Sequence, residues 1–223
     1  MLNLDKQHFL KRSTETLDLI LNTLESLPSL NLRDLRSENT VLIIIDMVNG
    51  FAREGALQSP RVEALIPEIV KISRGCDENR IAKIAFADCH TEQSPEFDAY
   101  PVHCMRGTSE SMIVEELREI GGYSLISKNS TNAFLEERFQ EWLKTNSQIN
   151  TFIIIGDCTD ICIEQFAVTL KAYFNMKNKK VRIIVPINAV DTYDYAIHNG
   201  DLMHVMALFN MMSNGIELVS GIE

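Results

Sequence analysis

Positive charge is scarce in this chain: 21 Lys and Arg against 31 Asp and Glu leave a formal net charge of -10 over 223 residues. Nucleic acids and anionic membrane surfaces demand a concentrated basic face, so neither is expected as a partner. Long apolar runs are missing as well, and none approaches the ~20 residues that a membrane-spanning helix needs. The amino-terminal stretch has Asp5 and Lys6 and stays polar, without the apolar centre of a secretory signal. Cysteines are odd in number, at 76, 89, 104, 158 and 162, with no C-x-x-C pair, which argues against a disulfide framework and for a reducing cytoplasm. Neither G-x-G-x-x-G nor a P-loop sequence is present, so a dinucleotide or nucleoside triphosphate is not indicated. Internal repeats and low-complexity segments are lacking too. What remains is a soluble, cytoplasmic protein acting on a small molecule, with 45% hydrophobic residues, enough for one large domain built on a two-sided sheet.

The hydrophobic pattern predicts that architecture in detail. Residues 41–45 (VLIII) and 151–155 (TFIII) are continuous β-branched or apolar runs, as central strands covered on both faces require. Further strands are predicted at 81–87, 123–127, 181–187 and 216–219. Helical spacing marks 62–74, 113–120, 134–143, a helix running on from Cys162, and 198–214. Strands alternating with helices give an α/β fold, a three-layer doubly wound and mainly parallel sheet of six strands with helices on both faces. Residues 1–37 form a separate helical extension, with Leu10, Leu17, Leu21, Leu24 and Leu27 as the apolar stripe and Pro28 as its stop. Residues 38–223 form the main domain.

In open parallel sheets, ligands bind beyond the carboxyl ends of the strands. Asp46, Asp88 and Lys128 follow predicted strands directly, and Cys162 follows one by a short turn. Each residue also has a plain structural explanation: the carboxylates as caps, the lysine as a solvated charge, the cysteine as a small buried hydrophobe. Together they make a nucleophilic set. Cys162 near a helix start is expected to favour thiolate, Asp46 can carry the thiol proton to a leaving amine, and Lys128 stabilises both anions. Backbone N–H groups of Cys158 and Cys162 form an oxyanion hole if they face one point. The long irregular stretch 89–108 reads as an active-site loop. With Asp88 it supplies His90, Glu96 and His103, a mixed imidazole and carboxylate set suited to a divalent metal, zinc first, with iron or manganese as alternatives.

The blocks VLIIIDMVNGF, DCH (88–90), YPVHCMRGT (100–108), SKNSTNAF around Lys128, GDCTDICIEQFA and the closing DTYDYAIHNGDLMHVMALFNMMSNGIEL occur in an order that resembles the isochorismatase-like cysteine hydrolases, and among them the nicotinamidases. The resemblance covers residues 41–219. It implies Cys162 as nucleophile, Asp46 as proton shuttle, Lys128 as electrostatic partner, and a cis peptide between Asp157 and Cys158 that aims the oxyanion amides. It further implies Asp88, His90 and His103 as metal ligands with Glu96 in the place of a variable fourth, and Phe51 and Tyr100 flanking a pyridine ring. The implied reaction is hydrolysis of nicotinamide to nicotinic acid and ammonia through a thioester, by a chain expected to be a homo-oligomer. Two rivals stand beside it: an amidase of the same superfamily acting on a ureido or N-carbamoyl amide, and a non-catalytic scaffold on the same fold. Isochorismatase itself fits less well, because it does not use a cysteine nucleophile.

Overall fold

The computed structural model describes residues 4–223. Its centre is β1 (Thr40–Ile45), whose six residues are all buried. Val41, Ile43 and Ile45 face one core, and Leu42 and Ile44 face the other. This two-sided burial is the reason the run shows no polar alternation. β1 is flanked by β2 (Ala82–Asp88) and β4 (Thr151–Asp157), with β3 (Tyr123–Lys128), β5 (Arg182–Pro186) and β7 (Glu217–Val219) beyond them in the order β3-β2-β1-β4-β5-β7. All pairings are parallel. The sheet has seven strands rather than the six expected, because the two-residue β6 (Val190–Asp191) adds to the end of β4, pairing Asp157 with Asp191. So short a strand leaves no periodicity to read.

Helices α3 (Pro60–Glu78) and α4 (Glu115–Ile120) cover one face; α5 (Glu137–Thr145), α6 (Glu164–Met176) and α7 (Gly200–Ser213) cover the other. A short α2 (Asn49–Ala52) follows β1. The amino-terminal α1 (Lys6–Glu25) is capped by the Asp5 carboxylate, which accepts from the His8 amide at 2.8 Å. Its packing differs from the leucine stripe expected: Ile20 and Leu24 are buried, Leu17 and Leu27 are half-buried, and Leu10 and Leu21 are exposed. The helix therefore seats only its carboxyl half on the body. No helix among the described residues is long and apolar enough to cross a membrane.

The β1–β4 seam brings the functional loops together. Gly156 has φ 120°, and a Cβ there would stand 1.9 Å from the Ile45 carbonyl oxygen. Only glycine lets the two strand ends converge so closely.

Candidate active site

Asp46 leaves β1 at φ 57°, a left-handed conformation that is uncommon for a non-glycine residue and costs on the order of 1–3 kcal/mol. Its Oδ1 accepts the Asp88 amide at 3.1 Å, so the end of β2 helps hold the strained residue. Its Oδ2 lies 2.8 Å from the Lys128 ammonium but accepts no directed hydrogen bond among the described residues. That leaves a lone pair available to a neighbour. Lys128, the last residue of β3, is buried instead of solvated. Its Nζ contacts Asp88 Oδ1 at 2.6 Å, the Ser130 carbonyl at 3.1 Å and the Cys162 Sγ at 3.7 Å. One buried ammonium thus serves two carboxylates and a sulfur and offsets part of the cost of burying them.

Cys162 lies within a π-helical turn, Thr159–Ile163, that precedes α6, rather than in the first turn of an α-helix. The amides of Ile161 and Ile163 both donate to the Cys158 carbonyl at 3.1 Å. The Asp157–Cys158 peptide is cis, as the resemblance implied. The pull of the helix start toward thiolate meets an opposing effect: burial pushes the Cys162 thiol well up, and Lys128 offsets this only in part. Burial likewise raises Asp46 to about 6 against the pull of Lys128, with the neighbouring Asp88 carboxylate adding to the rise. For Asp88 burial also acts upward, but Lys128, His103 and His90 outweigh it and hold the carboxyl well below its usual range. Burial and neighbouring charge thus push the two carboxyls in opposite directions.

Asp88, His90, Glu96 and His103 each offer one ligand atom, all within 4.8 Å of one another. His90 and His103 Nε2 lie 3.4 and 3.5 Å from Asp88 Oδ2, and His90 Nε2 lies 3.6 Å from Glu96 Oε2. The orientation of each ring is set from behind. His103 Nδ1 faces the Pro101 carbonyl at 2.7 Å, and His90 Nδ1 faces Asn129 Oδ1 at 3.2 Å. With hydrogen on Nδ1, both Nε2 lone pairs turn inward. His90 Nε2 is buried and has no hydrogen-bond partner among the described residues. An orphaned imidazole lone pair facing two carboxylates fits a borderline divalent cation, so the donor set passes this test for zinc. Glu96 keeps one oxygen for the Thr131 amide at 2.7 Å and turns the other to the cluster.

Asp88 and Cys162 line the same cavity of about 460 Å³, with Phe51, Tyr100, Glu96 and His103 also in its wall. The Phe51 and Tyr100 rings lie 5.6 and 6.2 Å from the His103 ring. A larger concavity of about 530 Å³ between residues 31–33 and α3 holds none of these residues. All the residues singled out in the sequence thus meet at one edge of the sheet. Others escaped notice. Asn129 and the Pro101 carbonyl orient the imidazoles. Tyr193, Asp194 and Tyr195 complete the cavity wall. The one available signal was the pair of tyrosines in DTYDY just beyond the β5 edge.

The molecule is an α/β protein whose doubly wound parallel sheet presents cysteine, carboxylate and lysine at its carboxyl edge, beside a donor set for a metal. The chain belongs to the isochorismatase family, whose domain model matches residues 40–220. It is 27% identical over 217 residues to nicotinamidase 1 of Arabidopsis thaliana, covering 84% of this chain and 88% of that one. Among solved structures it is similar to a nicotinamidase of Bacillus subtilis, with a TM-score of 0.68 and 25% identity, covering 82% of this chain and 100% of the other. A pyrazinamidase of Pyrococcus horikoshii in complex with zinc shares the fold, with a TM-score of 0.67 and 24% identity over 81% of this chain and 98% of that one.

Proposed function

We propose that the chain is a nicotinamidase, hydrolysing nicotinamide to nicotinic acid and ammonia. The observation that carries this reading is the division of Asp88 between two clusters: Oδ1 meets the Lys128 ammonium beside Cys162, and Oδ2 meets both imidazoles. A carboxamide at the nucleophile would therefore place an attached ring beside a metal, and such an arrangement suits a pyridine ring with a nitrogen lone pair.

Asp46 takes the Cys162 proton, and the thiolate attacks the carboxamide carbon. The C–S bond forms as the carbonyl electrons move to oxygen, where the amides of Cys158 and Cys162 stabilise them. Collapse breaks the C–N bond, and Asp46 returns its proton to the departing ammonia. Water, deprotonated by Asp46, then cleaves the thioester and restores the thiol. Lys128 lies against both carboxylates and the sulfur and stabilises the negative charge as it passes between them. Phe51 and Tyr100 hold the ring. Asp88, His90, His103 and Glu96 would hold the divalent metal, zinc by its fit to this donor set, which when bound supplies a Lewis-acidic anchor for the ring nitrogen.

The test is a substrate panel: ammonia release from nicotinamide and from an N-carbamoyl amide, each before chelation, after chelation and after reloading with zinc. Release from nicotinamide that falls on chelation and returns with zinc supports the reading. Turnover of the N-carbamoyl amide alone, indifferent to chelation, would move the assignment to the rival amidases.

A further inference from the structure

The segment 192–199 forms part of the cavity wall through Tyr193, Asp194 and Tyr195, yet it has little packing of its own: Tyr195 is 77% exposed and Ile197 98%. Its fixed points are few. At its start, Arg61 donates to the Thr192 carbonyl at 3.0 Å. At its end, Asn199 caps α7 by accepting from the Leu202 amide at 2.8 Å. Between them, Tyr195 and His198 exchange backbone hydrogen bonds of 3.0 and 2.9 Å around a tight turn that holds Ala196 at φ 52°.

The middle of this strap is tied to the nucleophile turn by one side chain. His198 Nε2 lies 2.8 Å from Asp160 Oδ2, and Nδ1 lies 3.0 Å from the Tyr193 carbonyl. The imidazole also stacks on the Tyr193 ring at a centroid distance of 3.9 Å and 10° between planes. Asp160 stands two residues before Cys162 within the π-helical turn. One imidazole therefore joins the segment that carries the nucleophile to the segment that carries the tyrosines.

We propose that His198 is a positioning residue that locks the 192–199 strap onto the nucleophile turn, and that the locked strap sets the width of acyl group able to reach Cys162. The proposal rests on the assignment of the Cys162 cavity as the substrate site. With the lock made, Tyr193 and Tyr195 close one side of the cavity against a single ring. With it broken, the strap keeps only its two ends and swings outward, and the site admits broader molecules.

The test compares wild type, His198→Ala, His198→Gln and Asp160→Asn, each checked for an intact cooperative melt. Glutamine keeps one donor for Asp160, and asparagine keeps the shape of Asp160 while removing its charge. Alkylation of Cys162 by iodoacetamide and by N-phenyliodoacetamide, located by fragment mass spectrometry, reads access without reference to turnover. The ratio of phenyl to parent reagent rates rises at least tenfold in His198→Ala, rises also in Asp160→Asn, and stays within threefold of wild type in His198→Gln. In parallel, kcat/KM for quinoline-3-carboxamide relative to nicotinamide shifts in the same order. A ratio that stays within twofold of wild type in both folded lock-breaking variants overturns the proposal, and so does an equal slowing of both reagents, which a merely structural role would give. Loss of selectivity in alkylation together with no hydrolysis of either amide by wild type would refute the proposed function and leave the strap lock standing.

Discussion

Replacing Lys128 with methionine keeps the length of the stem and deletes the charge, leaving two buried carboxylates facing each other across the space the ammonium held. In the native protein that ammonium lies 2.8 Å from Asp46 and 2.6 Å from Asp88. Removing one partner of a buried pair costs about 3–5 kcal/mol. For a chain of this length each kcal/mol lowers Tm by about 2–4 °C, so the expected fall is roughly 6–20 °C. The pH dependence follows from the sign of the shifts. Without Lys128 both carboxyls have folded pKa values above their unfolded values of about 4, so the penalty is full at high pH and fades as acid protonates them. The gap in Tm between wild type and Lys128→Met, measured on chelated protein by scanning calorimetry, should be wide at pH 8 and narrower at pH 5. A variant as stable as wild type at pH 8, or a gap that does not narrow toward pH 5, would refute Lys128 as the shared partner of both carboxylates. Amide turnover should also fall by about a thousandfold or more, since the variant lacks the charge that stabilises thiolate and carboxylate together.

Other consequences can be checked independently. Asp46, raised to about 6 by burial, acts as a base only when ionised, so kcat/KM should fall about tenfold per unit as pH drops below that value; a profile flat from pH 7 to 4.5 would remove Asp46 from the role. Gly156→Ala forces a Cβ against the Ile45 carbonyl, and the expected loss of more than about 4 kcal/mol should show as insoluble protein or a melt lowered by over ~10 °C; near-native stability would contradict the strand-end geometry. Zinc at about a thousandfold excess over its dissociation constant should add roughly 4 kcal/mol to stability. His103→Ala should lose most of that gain together with bound metal by elemental analysis, and unchanged metal content would exclude His103 from the cluster.

How much of this was legible in the sequence depended on whether the determining contacts were local. The runs 41–45 and 151–155 betrayed central strands because burial on both faces removes every polar residue. The convergence of Asp46, Asp88, Lys128 and Cys162 was legible because βα loops all leave the same sheet edge, so a position just after a strand is already a spatial address. The pairing of β6 was not, since two residues carry no period. The face of α1 was misread: its leucines suit a stripe through Leu21, but Ile20 is the residue buried against the body. The helix-start argument for Cys162 was incomplete for a different reason. A helix-end argument counts nearby dipoles and cannot count desolvation, which is set by chain segments far away in sequence. The 192–199 strap escaped for the same cause, as its geometry is fixed by Asp160, 38 residues from His198.

The central claim is that Cys162 carries the chemistry of amide hydrolysis, and the most direct measurement is ammonia release from nicotinamide by the zinc-loaded wild type and Cys162→Ala side by side. The account predicts turnover by wild type and none by the variant, with equal metal content and closely matched melting temperatures. No release by wild type, or release by the alanine variant at a comparable rate, would contradict it.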